Sequence, residues 1–459
     1  PGGDELVEAP LKGPFWKTAI ALAVLAGLGA WIHFVESQKE PGGEAKKEKL
    51  LAFDRAKVKE LVLARAGESV RLVRDGEVWR MTSPLVAPAD ADALGSLLGT
   101  LEGLEVDAVA VDTPSSLAPY GLDPAKARLS LVVEGSAAPL ELLLGEEVPA
   151  AGGVYAKRAS EARVVVIPSW SASSLEKKPF DLRDRDLLHV KRDAVRTIDV
   201  TGPEGGYALA RGERDEWAFT KPLATRAGRW SVDSLLGSLE SLRMESVAAE
   251  EAADLKAFGL AKPARTVAVG LADGSSRTLE IGRSAGDKKF HARLAGSPLV
   301  AVISNVVVDD LARGMRELRA KRLLEVATYE VEGFDVVEGV DRKVYAKSTE
   351  KDKDGLDKAR WKRTAPDAKD LDTNKVEDAL FLLGGVEVQE FLDRPQPDPA
   401  YGLDAPAFEL VLRMGTKGEA SVELGKKDGA VYARRPGDAA VLKLDTAKAD
   451  ELIRGFTGL

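Results

Sequence analysis

Cysteine is absent from all 459 residues, which excludes disulfides, thiolate metal sites and a cysteine nucleophile and leaves the compartment open. Histidine is nearly absent, with His33, His189 and His291 the only three, so acid–base chemistry has few candidates. Basic residues do not outnumber acidic ones: 65 against 74 leaves a net charge of -9, with no global pull towards phosphate backbones. Nucleic acid is therefore not an expected partner. No P-loop, GxSxG, HExxH or GxGxxG stands in a suitable strand-to-helix context. What is present is 44% hydrophobic against 30% charged side chains, the balance of a chain that builds folded cores, over a length that corresponds to about three domains.

One long uncharged run interrupts this mixture. It reads TAIALAVLAGLGAWIHF from Thr18 to Phe34 and reaches bilayer length over residues 15–35 once Phe15, Trp16 and Val35 are included. Trp16 and Trp31 stand near its ends, where amphipathic rings favour the membrane interface, and Lys17 can snorkel to the headgroups. A cleaved signal peptide is the competing reading. The residues that follow, His33, Phe34, Val35 and Glu36, are bulky or charged and offer no small-x-small cleavage site. The expectation is one uncleaved transmembrane helix at 15–35, with the lipid bilayer as a partner, behind a tail at 1–14 and ahead of a flexible tether at 36–49. Ala19, Ala23 and Gly27 recur every four residues and would offer a small-residue face to a partner helix. Charge orients the span poorly. Lys39, Lys46, Lys47 and Lys49 follow it, which taken literally keeps the large region in the cytoplasm, yet the bias is small and long domains translocate regardless.

Beyond the tether the sequence repeats itself with a period of about 140 residues. The openings KLLAFDRAKVKELVL, DLLHVKRDAVRTIDV and RLLEVATYEVEGFDV place Leu51, Leu188 and Leu324 in register. A tryptophan with a proline five residues later follows in each copy: Trp79 and Pro84, Trp217 and Pro222, Trp361 and Pro366. Next comes a helical apolar pattern, Leu94, Leu97, Leu98, Leu101 and Leu104, matched by Val232, Leu235, Leu236, Leu239 and Leu242 and by Val376, Ala379, Leu380, Leu383 and Val386. An aromatic-Gly-Leu step follows at Tyr120, Phe258 and Tyr401, its glycine suited to a tight turn. Strand pairs complete each copy (LSLVV and LELLLG, TVAVGL and RTLEIG, FELVLR and ASVELG, then VYAK, FHAR and VYAR with their partners), and a short helix closes it, with Leu175, Leu311 and Leu452 equivalent. The expected fold class is α+β: three tandem modules at 50–186, 187–322 and 323–459, each mainly antiparallel sheet with one amphipathic helix and a closing helix. The charged STEKDKDGLDKAR of the third copy is expected to be a solvated loop.

The candidates for chemistry are few and each has a structural alternative. Asp181, Asp184, Asp186 and His189 could be a metal site, but the second copy carries Glu317, Ala320, Arg322 and Glu325 there, so a charged connector is expected instead. His291 aligns with Tyr155 and Tyr432, a strand position that accepts a half-buried ring; His189 aligns with Phe53 and Glu325. The serines of SWSASS, Ser169 to Ser174, begin a helix and are expected to cap it. Trp79, Trp217 and Trp361 could stack on a ligand, but recurrence once per copy points to core packing, as does that of Tyr120, Phe258 and Tyr401. No catalytic residue, cofactor or metal is expected.

The W-x4-P step, the leucine-rich helix after it, the YGL turn (Tyr120, Gly121, Leu122; Tyr401, Gly402, Leu403) and the VYAK strand (Val154 to Lys157) together resemble the family catalogued as domain of unknown function 4340. The likeness covers about residues 50 to 459; the second copy departs from it with Phe258 for tyrosine and FHAR for VYAK. Members look like membrane-anchored bacterial envelope proteins, often encoded beside gliding-motility-type ABC transporter components. The resemblance thus implies a single-pass inner-membrane protein with a cytoplasmic tail and a large periplasmic region, a non-enzymatic scaffold or accessory that contacts membrane ABC transporter subunits. The alternative is a periplasmic module that binds a lipid, glycan or peptide and hands it to a transporter, for which an apolar cavity lined by strand residues is the expected mark. A hydrolase is the third and weakest reading, for want of a nucleophile-base pair.

Overall fold

A computed structural model describes residues 48–459 except 66, 150, 151, 214 and 352–355. The expected span at 15–35, with Ala19, Ala23 and Gly27, lies outside the described residues, as does the tether apart from its last two residues. Those two belong to the first module: Lys49 bridges Glu105, and Glu48 pairs with Arg163. Among the described residues no helix is long and apolar enough to cross a membrane.

Three sheets of nine strands follow one another along the chain, all of their strand pairs antiparallel. In the first, β1 (Val58–Arg65), β2 (Glu68–Asp75), β3 (Val78–Ser83) and the two-residue β4 (Ala87–Pro88) step outward to one edge. Helix α1 (Ala91–Glu102) then carries the chain to the opposite edge, where β5 (Ala108–Val111) lies. The chain returns to the centre as β6 (Ala127–Val133) beside β1 and steps outward again through β7 (Leu140–Glu147), β8 (Gly153–Arg158) and β9 (Val164–Pro168) until it meets β5. Helices α2 (Ser169–Leu175) and α3 (Pro179–Leu182) close the module. Both sheet edges are thus short strands, which limits edge-to-edge pairing. The second sheet runs from Val195–Thr201 to Val300–Ser304 and the third from Gly333–Glu338 to Val441–Leu444, in the same order.

Two compact units divide the chain, Pro1–Asp184 and Arg185–Leu459. The first unit holds the first sheet. The second holds the other two.

Side-chain periodicity explains the layers. Along β1 the buried residues are Val58, Leu61 and Leu63, with Lys59 and Arg65 exposed between and beyond them, as a strand with one covered face requires. The covering layer is α1, whose Leu94, Leu97, Leu98 and Leu101 lie on one stripe and are buried at about 2 kcal/mol each. Asp90 caps it by accepting from the backbone N–H groups of Asp92 and Ala93 at 3.0 and 2.9 Å. The second module places Val232, Leu235, Leu236 and Leu239 in the same way, and the third Val376, Ala379 and Leu380. Trp79, Trp217 and Trp361 are buried, each opposite a cation on the neighbouring strand: Arg74, Arg211 and Lys347. The Arg211 and Lys347 cations lie 5.9 Å from their indole centroids.

Tyr120, Phe258 and Tyr401 sit apart from the indoles. In β7 the alternation puts Leu143 on the opposite face from Leu142 and Leu144, and there the YGL loop covers it with Tyr120 and Leu122, beside Tyr155 of β8. Tyr120 meets Tyr155, Phe258 meets His291 and Tyr401 meets Tyr432, with centroids 5.0, 5.1 and 5.0 Å apart. Two glycines make this closure fit. Gly121, Gly259 and Gly402 take φ of 63°, 71° and 68°. Gly145, Gly282 and Gly425 pass so near the loop that a Cβ would lie 2.1, 2.2 and 2.4 Å from the carbonyl oxygens of Tyr120, Phe258 and Tyr401. The glycine that ends LLLG, LEIG and VELG is thus needed by the loop laid across it.

The charged insertion of the third module is mostly not a loop. Asp341–Lys351 and Asp357–Ala365 extend as a strand pair up to Lys351 opposite Asp357. Opposite charges meet across it, Arg360 with Glu350 at 3.7 Å and Lys362 with Glu350 at 3.8 Å, all about half exposed, so the run is solvated as expected but as a strand pair rather than a loop.

Candidate functional site

The groups singled out for chemistry are taken up by structure. Asp181 accepts from the backbone N–H of Lys178 at 2.9 Å and holds the start of α3. Asp186 accepts from the N–H groups of Leu188 and His189 and pairs with Arg243 at 3.2 Å. Among the described residues no group of three or more His, Asp or Glu is placed to hold a metal ion. The serines of α2 do not cap it: Pro168 occupies the cap, while Ser173 and Ser174 donate back to the carbonyls of Ser169 and Trp170, because their hydroxyls already lie within the first turns. Side-chain caps appear instead at the equivalent helices of the later modules, from Ser304 and Asp445.

His291 replaces a tyrosine against the ring of Phe258, and partial burial, helped by Arg283, holds its pKa below the ordinary histidine value of 6.5. Folding therefore disfavours the imidazolium, and the unfolded chain binds the proton more readily. Stability is complete above the unfolded value and is lost as the pH falls below about 6.5. Replacing it by the residue of the other two modules, His291→Tyr, is expected to flatten that part of the stability–pH curve, as followed by urea midpoints between pH 7.5 and 5.

The densest polar arrangement lies within the second unit, where the second and third modules meet, and neither composition nor spacing marked it. Arg435 and Asp438 form an ion pair at 2.6 Å with side chains 1% and 0% exposed. Arg435 also donates to the carbonyls of Arg322 and Leu323 at 2.7 and 3.1 Å. The other carboxylate oxygen of Asp438 accepts from the Thr225 hydroxyl at 2.8 Å and the Arg226 backbone N–H at 2.7 Å. Burial pulls the Arg435 pKa down, and Asp438 counters it. Beside this pair Arg319 meets Asp393 at 2.6 Å and lies 4.6 Å from the Phe391 ring centroid. Glu325 accepts from the Arg229 N–H at 3.1 Å, so the third module's opening caps the second module's long helix, where Gly228 has no side chain to do it. Glu325, aligned with His189 and Phe53, was legible as nothing more than a tolerated substitution.

The first module carries a pocket of about 340 Å³ between the ends of β1, β2 and β6 and the segment that follows α2. Leu63, Val70, Ala127, Leu129 and Leu175 line it. A more polar cleft of about 630 Å³ runs past Glu105, Asp107 and Trp170. Trp170 is 68% exposed; the long helices of the second and third modules bear Trp230, 75% exposed, and Phe381, 80% exposed. These rings stand at different places, Trp170 on the closing helix, Trp230 at the start of a long helix and Phe381 near the end of one, and Tyr329 of the third module is 78% exposed as well.

Among known families, the one described as Domain of unknown function (DUF4340) matches residues 79–229 and 217–406. Both matched spans begin on a module's tryptophan, so they are offset from the sheets and run from one copy into the next. No curated protein matches. A crystal structure described as a DNA polymerase III beta subunit of Eubacterium rectale aligns over 87% of this chain and 94% of that one at 7% identity, with a TM-score of 0.16, too low to carry an argument.

Proposed function

Because the chain belongs to the DUF4340 family, we propose that it is a membrane-anchored periplasmic scaffold, an accessory of an ABC-type, gliding-motility-like transport system that acts through protein–protein contacts. The observation that carries this reading is the set of large rings left exposed on the helices, Trp170, Trp230 and Phe381. Aromatic side chains left in water are enriched where partners dock, and a tandem array offers several such points along one chain. The use of the recurrent polar groups as caps and junctions, rather than as an acid–base pair, supports the same reading.

Photo-crosslinking in native membranes from position 230 or 381 is expected to capture membrane ABC transporter subunits. Recovery of the uncrosslinked chain alone, or of unrelated abundant proteins, counts against the scaffold. Protease added to spheroplasts is expected to digest the large region; protection until lysis would place it in the cytoplasm and defeat the topology. A second reading, a periplasmic module that passes a ligand to the transporter, is favoured by the pocket of the first module.

A further inference from the structure

The three modules are copies, so each is a control for the others at the place where the pocket lies. Strand register makes Val70, Tyr207 and Lys343 equivalent, as the partners of Leu63, Val200 and Val336. It likewise makes Ala127, Arg265 and Phe408 equivalent, two residues before Leu129, Val267 and Leu410. In the second module the space is filled. The buried Arg265 guanidinium donates to the Leu311 carbonyl at 3.1 Å and pairs with Glu204 at 2.6 Å, and the Tyr207 hydroxyl donates to the same carbonyl at 3.5 Å. In the third it is filled by rings: Phe408 and Phe456 are fully buried with centroids 6.4 Å apart, and Lys343 donates to the Thr457 carbonyl at 3.5 Å. Only in the first do a valine and an alanine stand there. The vacancy is therefore not a requirement of the fold, since the same nine-stranded sheet closes over it twice. An apolar space left open in water loses packing that a larger side chain would restore.

The rim is charged, and mostly positive. Arg65, Arg128, Lys177 and Lys178 line it with Glu68 and Glu176. Arg65 pairs with Glu176 at 3.2 Å and Arg128 with Glu141 at 3.4 Å, whereas no ion pair among the described residues engages Lys177 or Lys178. The volume is at the small end of the range for small-molecule pockets, about 300–1,000 Å³. We infer that the first module binds a small amphipathic anion, its apolar body between Leu63, Val70, Ala127, Leu129 and Leu175 and its carboxylate towards Lys177 and Lys178. The inference does not depend on the scaffold reading; it rests on the same pocket as the ligand-passing reading and deepens that reading by naming the chemistry of the ligand.

The test is calorimetric titration of the full chain in detergent, with decanoate held below its own critical micelle concentration and with uncharged decanol, each corrected for the same titration into detergent without protein. Decanoate is expected to bind at one site, with decanol weaker by about tenfold, the size of one lost charge contact. Ala127→Phe, which installs the residue of the third module, is expected to abolish decanoate binding without lowering the urea midpoint. Lys177→Glu with Lys178→Glu, at the surface and away from the core, is expected to weaken decanoate by about tenfold and leave decanol unchanged. No saturable decanoate binding, or equal binding to the Ala127→Phe protein, overturns the site. Equal affinity for decanoate and decanol overturns the anion. Either failure leaves the crosslinking result for the scaffold untouched.

Discussion

Asp438→Ala is expected to destabilise the Arg185–Leu459 unit by about 3–5 kcal/mol, the cost of leaving a buried charge without its partner. Its carboxylate is the counter-ion of an arginine that is 1% exposed and the acceptor for two groups of the second module, the Thr225 hydroxyl and the Arg226 N–H. Alanine leaves all three facing a space that water does not readily enter. The same arginine-x-x-acid pair stands in the first module as Arg158 and Glu161, 3.2 Å apart but 26% and 30% exposed. Glu161→Ala is accordingly expected to cost no more than about 1 kcal/mol. Urea denaturation of the full chain, followed at tryptophan, separates the cases. A variant in which both charges are removed, Arg435→Met with Asp438→Leu, is expected to recover most of the loss, because the penalty belongs to the unpaired charge rather than to the missing attraction. Equal, small effects of Asp438→Ala and Glu161→Ala would mean that the second and third modules do not seal this pair from water.

Trp361→Ala is the second large effect, a loss of about 3–5 kcal/mol from the third module. The indole is 2% exposed and packs on Phe334 at 5.4 Å, which is itself stacked on Tyr345 at 4.5 Å and meets Phe456 at 5.3 Å. Truncation opens a cavity inside a cluster of rings that has few small side chains to collapse into it. Trp230→Ala removes the same side chain from a position 75% exposed and is expected to change stability by no more than about 0.5 kcal/mol while weakening capture of the partner. If Trp361→Ala proves as mild as Trp230→Ala, the recurrent indole is not a core residue and a ligand-stacking role returns.

Much of this fold was legible in the residues because its signals are local. The helix at Ala91–Glu102 was visible from the spacing of Leu94, Leu97, Leu98 and Leu101, since a 3.6-residue period needs no knowledge of what lies opposite. The closure of the YGL loop was only half visible. Gly121 announced a turn, but the need for Gly145 depends on a backbone passing within van der Waals distance, which no window of sequence contains. The charged insertion before Trp361 was misjudged as a loop for a related reason: its charges are solvated as expected, but the strand register that sets Glu350 against Arg360 and Lys362 depends on a pairing that charge does not reveal. SWSASS was misjudged because Pro168 had already taken the cap position.

The amino-acid sequence by itself determined the number of modules, their antiparallel α+β character and the recurrence of the indole and the paired glycines, because strand alternation, helical period and turn geometry are properties of neighbouring residues. Only the tertiary structure decided which of two equivalent arginine-acid pairs, Arg158 with Glu161 and Arg435 with Asp438, became a buried junction and which of three equivalent spaces stayed open. Both depend on desolvation and packing by distant residues: Thr225 and Asp438, which meet at 2.8 Å, stand 213 positions apart. The pocket of the first module lies where Ala127 and Val70 stand in the places that Arg265 and Tyr207 fill in the second module.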